Sequence, residues 1–302
     1  IHQENHEKKD DLMTGEVVEI LARSKAGFAG VIEKDGANYF LVPSYPKMYT
    51  DLIIPEEKLN GAVPGQKVFT VITDWPNPEK SPIAEVVEVL GMPRENEAEM
   101  RAIAMEKGFR SHFPPDVEAE AKKLLEENME SAATGRRDFR GITTFTIDPD
   151  DAKDFDDALS IKDLGDGKYE IGIHIADVSH YVRPGSALDD EAIKRQTSVY
   201  LVDRTIPMLP EILSNDLCSL KPNVDRLTMS AVFVMDMKGR VHEEWFGKTI
   251  IHSDKRFAYE GAQAVLTAGA GEYHTELKIL NDIAKELTKE RFAHGAISLD
   301  QE

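Results

Sequence analysis

Asp148-Pro-Asp-Asp-Ala-Lys-Asp-Phe-Asp-Asp157 decides how the rest of this chain is read. Six of its ten residues are aspartates, and the flanks, Thr144-Phe-Thr-Ile147 and Ala158-Leu-Ser-Ile161, read as strands. Carboxylates at this density repel one another, so a fold keeps them where positive charge neutralises them. A cluster of oxygen ligands is what hard cations such as Mg²⁺ or Mn²⁺ take. The plain alternative is a solvated acidic loop. Against it, the run is bracketed by β-branched and apolar residues rather than by Ser, Gly or Lys. A calcium loop of the EF-hand type fails, because Ala152 and Lys153 stand where it needs a ligand and a glycine. A divalent-metal site is favoured.

Outward on the C-terminal side, Lys168-Tyr-Glu-Ile-Gly-Ile-His-Ile-Ala-Asp-Val178 alternates, with Tyr169, Ile171, Ile173 and Ile175 on one face. Gly165-Asp-Gly167 predicts a hairpin between this strand and the one that follows the aspartates. The pairing would bring Asp177 to the end of the cluster, as a carboxylate supporting the ligands from behind. His174 lies on the other face and reads as a structural histidine; His180 is left undecided. Residues 188–195 suggest a short helix, and 276–292 an amphipathic one with Leu277, Leu280, Ile283 and Leu287 on one side. Residues 135–302 therefore read as a mixed α+β domain.

On the N-terminal side, residues 93–134 read as a helical connector, one helix ending at Gly108 and a second starting at Asp116. Residues 13–92 read as all β. Strand-like runs at 16–21, 30–33, 38–42, 66–72 and 83–90 are separated by Asp35-Gly36, Asn60-Gly61, Pro64-Gly65 and Asn77-Pro78. Short strands over this length suit a small closed barrel, of which the OB-fold is the usual single-strand-binding version. Phe28, Tyr39, Phe40, Tyr45, Tyr49 and Trp75 are its candidates for stacking on bases, with Tyr39 or Phe40 assigned to the core. Residues 1–12 are polar and without period, a tail or linker.

A chain of 302 residues is long enough for two domains with their own cores. A single cysteine, Cys218, excludes an internal disulfide, suits the reducing cytoplasm and reads as a small buried residue. No apolar run approaches the roughly 20 residues of a membrane span, and the N-terminus has neither a signal-peptide core nor a starting Met. The net charge of −19 argues against general binding of nucleic acid. Local basic residues at 136–140, Arg183, Arg204, Lys221, Arg226 and 255–256 soften that objection, since distribution decides more than the sum.

The acidic run, taken as Thr146-Ile-Asp-Pro-Asp-Asp-Ala-Lys-Asp-Phe-Asp-Asp-Ala-Leu159, resembles the signature of the RNase II/RNase R exoribonucleases. More blocks resemble it in order: 174–182, Thr197-Ser-Val-Tyr-Leu201 running into 206–220, and Asn223-Val-Asp-Arg-Leu-Thr-Met229. The wording is closest to RNase R at Asp154-Phe-Asp-Asp157 and Ser198-Val-Tyr200. The resemblance implies hydrolysis of single-stranded RNA from its 3′ end to nucleoside 5′-monophosphates with Mg²⁺ or Mn²⁺. It carries over Asp148, Asp154, Asp156 and Asp157 as catalytic, metal-holding residues and Tyr200 as the tyrosine that stacks on terminal bases. It also implies a cold-shock-type OB domain ahead of the catalytic domain. In the family that domain continues past the point where this sequence ends and supplies an essential arginine. The chain is accordingly expected to be a fragment that exposes an apolar sheet face and has little exonuclease activity alone. The competing readings are an RNA-binding module without activity and an Asp-rich protein in which metal is structural. Oligomeric state is not legible.

Overall fold

Alternating β-branched and aromatic residues near the N-terminus form β1 (Phe28–Asp35), β2 (Asn38–Pro43), β3 (Leu52–Ile54), β4 (Lys67–Asp74) and β5 (Ile83–Gly91). The computed structural model describes residues 27–298 apart from positions 78, 111 and 128, so the expected strand at 16–21 lies outside the described residues. The five strands close in the order β1-β2-β3-β5-β4. Ile32, Leu41, Leu52, Val68 and Val86 fill the interior with no exposed surface, which is the burial that stabilises a barrel of this size. Of the paired aromatics, Tyr39 packs against this core. Tyr49 is exposed and lies 6.1 Å from Trp75 between ring centres.

The helices read as one connector divide between two bodies. Of the described residues, the first body comprises those up to 112 with 200–206, the second 113–199 with those from 207 on. In the first, α1 (Asn96–Glu106) lays Ala98, Ala102 and Met105 on Ala29, Phe69 and Leu90 outside the barrel. In the second, α2 (Pro115–Leu124) starts with Pro at its first position, where a missing N–H costs nothing. It buries Val117 and Ala121 in the larger core. A short helix, α3 (Met129–Ala132), follows it.

The second body is built on a seven-stranded sheet. Its strands begin with β6 (Arg137–Asp138), β7 (Thr144–Asp148), β8 (Asp157–Gly165) and β9 (Lys168–Ala176). Helices α4 (Val178–Tyr181) and α5 (Ala187–Arg195) follow, and then a two-stranded ribbon, β10 (Val199–Tyr200) and β11 (Thr205–Ile206), whose residues 200–206 are those grouped with the first body. The sheet then resumes with β12 (Asp225–Asp236), β13 (Val241–His252) and β14 (Lys255–Ala258). The strand order is β14-β7-β8-β9-β12-β13-β6, with β14 parallel to β7.

The β8–β9 hairpin forms as the Gly165-Asp166-Gly167 turn predicts, with all three residues at positive φ. Its register aligns Leu159, Ile173, Ala231 and Phe246 across one face, and Ala158, His174, Ser230 and Gly247 across the other. Helices α6 (Tyr259–Ala268) and α7 (His274–Ala293) cover the first face around Phe145, Ile161, Ile171 and Met235. They leave Ile173, Ile175, Met229 and Phe246 exposed, so the exposed apolar face expected from the sequence is present.

Candidate active site

The aspartate run is the connection between two neighbouring antiparallel strands. Asp148 is the last residue of β7 and Asp157 the first of β8. Thr144↔Ser160 and Phe145↔Leu159 are paired, so the eight residues between Asp148 and Asp157 bulge beyond the sheet end. Asp148 is only 9% exposed, and its Oδ2 is buried without a hydrogen-bond donor. A carboxylate oxygen in that position lacks the partner its charge requires, and a cation would supply one. Asp154, Asp156 and Asp157 keep contact with solvent, as do Asp150 and Asp151, which the family pattern leaves unmatched.

The carboxylates share one electrostatic field. Burial raises the Asp148 pKa, the charges of Asp157 and Asp154 add to it, and Thr146 and Arg256 oppose. Asp156 is also raised, first by the protein crowding its carboxyl and then by Asp154, Asp157 and Asp148. Carboxyls raised by burial first and by neighbouring like charge after it, as Asp148 and Asp156 are, mark a site where positive charge is wanted. Among the described residues, no three His, Cys, Asp or Glu side chains converge closely enough to hold an ion as they stand. The donor set, all oxygen and all acidic, still suits a hard divalent cation.

Other residues singled out from sequence take definite places. Asp177 does not back the cluster. The hairpin does bring its backbone close, since Ala176 N–H donates to the Asp156 carbonyl. Its carboxylate instead meets the enclosed Arg136 Nη2 at 2.6 Å and accepts from Ser179 Oγ at 2.7 Å. Against the opposing effect of burial, the Ser179 hydrogen bond first and the buried Arg136 partner after it hold the Asp177 carboxyl below the usual range. His174 is structural: fully enclosed, it hydrogen-bonds Ser160 Oγ at 2.8 Å and Ser230 Oγ at 2.6 Å. His180 sits between Glu127, at 2.9 Å, and Arg136. Cys218 is buried, and burial, with Asp156 nearby, pushes its thiol up to about 12, so it stays a neutral packing group. Tyr200 is 73% exposed, which sets aside a core role.

The basic residues that softened the charge objection mostly turn inward. Arg137 pairs with Glu170, Arg140 with Asp138 and Glu130, Arg204 with Asp203 and Glu97, and Lys255 with Glu272. Two residues that the sequence reading named only in passing, Arg256 among the local basic residues and Ser219 inside a family block, take a place at the loop that it did not assign. Both bond the acidic loop through its backbone, and backbone partners leave no mark in a side-chain pattern.

Residues 136–302 match the RNB domain family model. The chain belongs to the RNB family. Residues 40–114 match the cold shock domain, in keeping with the barrel. Ribonuclease R of Thermotoga maritima is 40% identical over 293 residues, an alignment that covers 95% of this chain and 41% of that protein. Ribonuclease R of Acidithiobacillus ferrooxidans is 38% identical over 292 residues, covering 94% of this chain and 66% of the relative. Among solved structures, Mycoplasma genitalium RNase R in complex with ribose-methylated single-stranded RNA superposes with a TM-score of 0.85. That match has 26% identity and covers 99% of this chain and 48% of that one. The chain thus spans between about two fifths and two thirds of the length of these relatives. RNB exonucleases as a family depend on divalent metal. Among the described residues no helix is long and apolar enough to cross a membrane.

Proposed function

We propose that the protein carrying this sequence is a cytoplasmic 3′–5′ exoribonuclease that hydrolyses single-stranded RNA to nucleoside 5′-monophosphates with Mg²⁺ or Mn²⁺. The observation that carries the reading is Asp148, buried with an unpartnered oxygen at the mouth of a loop bearing Asp154, Asp156 and Asp157. A divalent ion bound there supplies Lewis-acid polarisation of the scissile phosphate and a water acidic enough to attack near neutral pH. Asp148 and Asp157, at the two strand ends, would hold the first ion, Asp156 would help hold a second ion or its water, and Asp154 would serve as a further ligand or orienter. Tyr200, exposed on its ribbon, offers a ring for the terminal bases and so favours a single-stranded end. The cold-shock barrel, with Tyr49 and Trp75 side by side, guides RNA weakly, consistent with the chain's acidic balance.

A second reading, an RNA-binding member without turnover, is favoured by one observation: the aspartates do not converge as they stand. Asp156→Asn separates the two. It is nearly isosteric and removes charge at the ion but no phosphate contact. In an active enzyme it lowers the rate of mononucleotide release by on the order of a hundredfold or more, with RNA affinity kept. A near-normal rate in the variant would remove Asp156 from the site, and absence of release by the wild type would support the second reading.

A further inference from the structure

The acidic loop is held at both halves by groups outside it. In the first half, the Pro149 carbonyl accepts from Ala152 N–H at 3.1 Å, closing a turn. Arg256 Nη2 then donates to the carbonyls of Pro149 and Asp150, the latter at 2.8 Å. Nη1 of the same guanidinium stands 3.7 Å from the carboxylate of Asp150, whose 89% exposure leaves that ion pair little weight. The guanidinium also lies 5.6 Å from the ring centre of Phe155, the buried residue between Asp154 and Asp156.

In the second half, Ser219, only 1% exposed, forms a bridge. Its Oγ donates to the Lys153 carbonyl at 2.8 Å and accepts from the Phe155 N–H at 3.0 Å. Leu220 N–H adds a bond to the Phe155 carbonyl at 2.8 Å. Arg226 Nε fixes the bridge by donating to the Ser219 carbonyl at 2.9 Å.

We propose that Arg256 and Ser219 form a two-point clamp that sets the spacing of Asp148 from Asp154, Asp156 and Asp157 before any ion arrives. The proposal rests on the metal reading above. Several like charges on one short connection drive it to splay, against which the loop itself sets the Ala152–Pro149 hydrogen bond and the charge of Lys153. Arg256 opposes it from β14, whose parallel pairing places Arg256 opposite Thr146 and Ala258 opposite Asp148. Nη2 alone bonds the two consecutive carbonyls while the delocalised guanidinium stands 5.6 Å from the Phe155 ring centre with Nη1 turned to Asp150, a set of positions that the single nitrogen of a lysine ammonium does not reproduce. Both are positioning residues: the Arg256 Nη2 donors and the Ser219 hydroxyl are committed to loop backbone.

Hydrogen exchange of the loop amides at 151–156, read against those of the β8–β9 hairpin, tests the clamp in the full chain. Arg256→Ala and Arg256→Lys should both speed loop exchange by about tenfold or more and leave the hairpin unchanged, and Ser219→Ala should do so at Phe155. Titration with Mn²⁺ alone, followed by its electron paramagnetic resonance signal, should give affinities about 10–100-fold weaker in Arg256→Lys and Ser219→Ala. Asp156→Asn should weaken Mn²⁺ binding yet keep loop exchange slow. Wild-type loop exchange in Arg256→Ala overturns the clamp, as does complete rescue by Arg256→Lys, which would reduce the arginine to a counter-charge. Equal acceleration of the hairpin amides also overturns it, by making the residue a support of the whole fold. A wild type that takes up no Mn²⁺ sinks the metal reading instead, and the exchange comparison still decides whether the clamp holds the loop.

Discussion

Asp148 is enclosed, and Asp156, though it touches water, has its carboxyl crowded by protein, so these two give the site its pH response. Burial first, and neighbouring carboxylates after it, raise Asp148 and Asp156 above the ordinary carboxylate range. A cation must displace any proton held there, so Mn²⁺ affinity should fall on acidification from about pH 7 at a higher pH than isolated aspartates would give. The rise in melting temperature on adding Mn²⁺, followed against pH, measures this; a rise that stays constant down to about pH 4 would contradict it. The fold also weakens on acidification, through His174. Burial lowers its pKa from 6.5 to about 4, so the unfolded chain binds the proton more readily in that window. His174 therefore costs stability as pH falls from 6.5 towards 4, by at most about 3 kcal/mol. Denaturant midpoints against pH should show a shallower slope in His174→Gln, and an unchanged slope would clear His174. The aspartates were legible because spacing and residue type repeat a family signature. Arg256 was not, because its partners are carbonyls more than a hundred positions away, brought near only by the β14–β7 pairing.

Elements were legible where the signal is local. The β8–β9 hairpin follows from its glycine turn, and α7 from its apolar stripe. Strand β3 was missed because Leu52-Ile-Ile54 is too short to show alternation and is defined by its neighbours β2 and β5. The face of β9 was read only in part. Ile171 is covered but Ile173 and Ile175 are exposed, while the opposite face buries Gly172, His174 and Ala176. Gly172 is required there by close approach: a Cβ would stand 2.4 Å from Ser160 Oγ and 2.5 Å from His174 Nε2. Gly172→Ala should push these two apart and destabilise the protein by about 1–3 kcal/mol in urea unfolding. A variant as stable as wild type would mean the Ser160–His174 contact yields without cost.

At the scale of the molecule, the barrel followed by an α+β sheet domain was legible in order and class. The strand order was not, since β14 joins the sheet next to β7 through contacts that no local pattern encodes. The charge balance was read correctly as a sum and less well as a distribution. Most of the local arginines and lysines are spent on ion pairs within the protein, so on the proposed metal reading the ions held by the aspartates are what would draw the scissile phosphate. Chelation should therefore remove activity outright rather than reduce it. The most direct measurement uses the protein expressed from its whole gene and a single-stranded oligoribonucleotide labelled at its 5′ end. With Mg²⁺ the label should remain on fragments that shorten steadily from the 3′ end while nucleoside 5′-monophosphates accumulate, and a chelator should stop both. Cuts at internal, sequence-specific positions, or shortening that continues in the chelator, would contradict a metal-dependent 3′–5′ exoribonuclease.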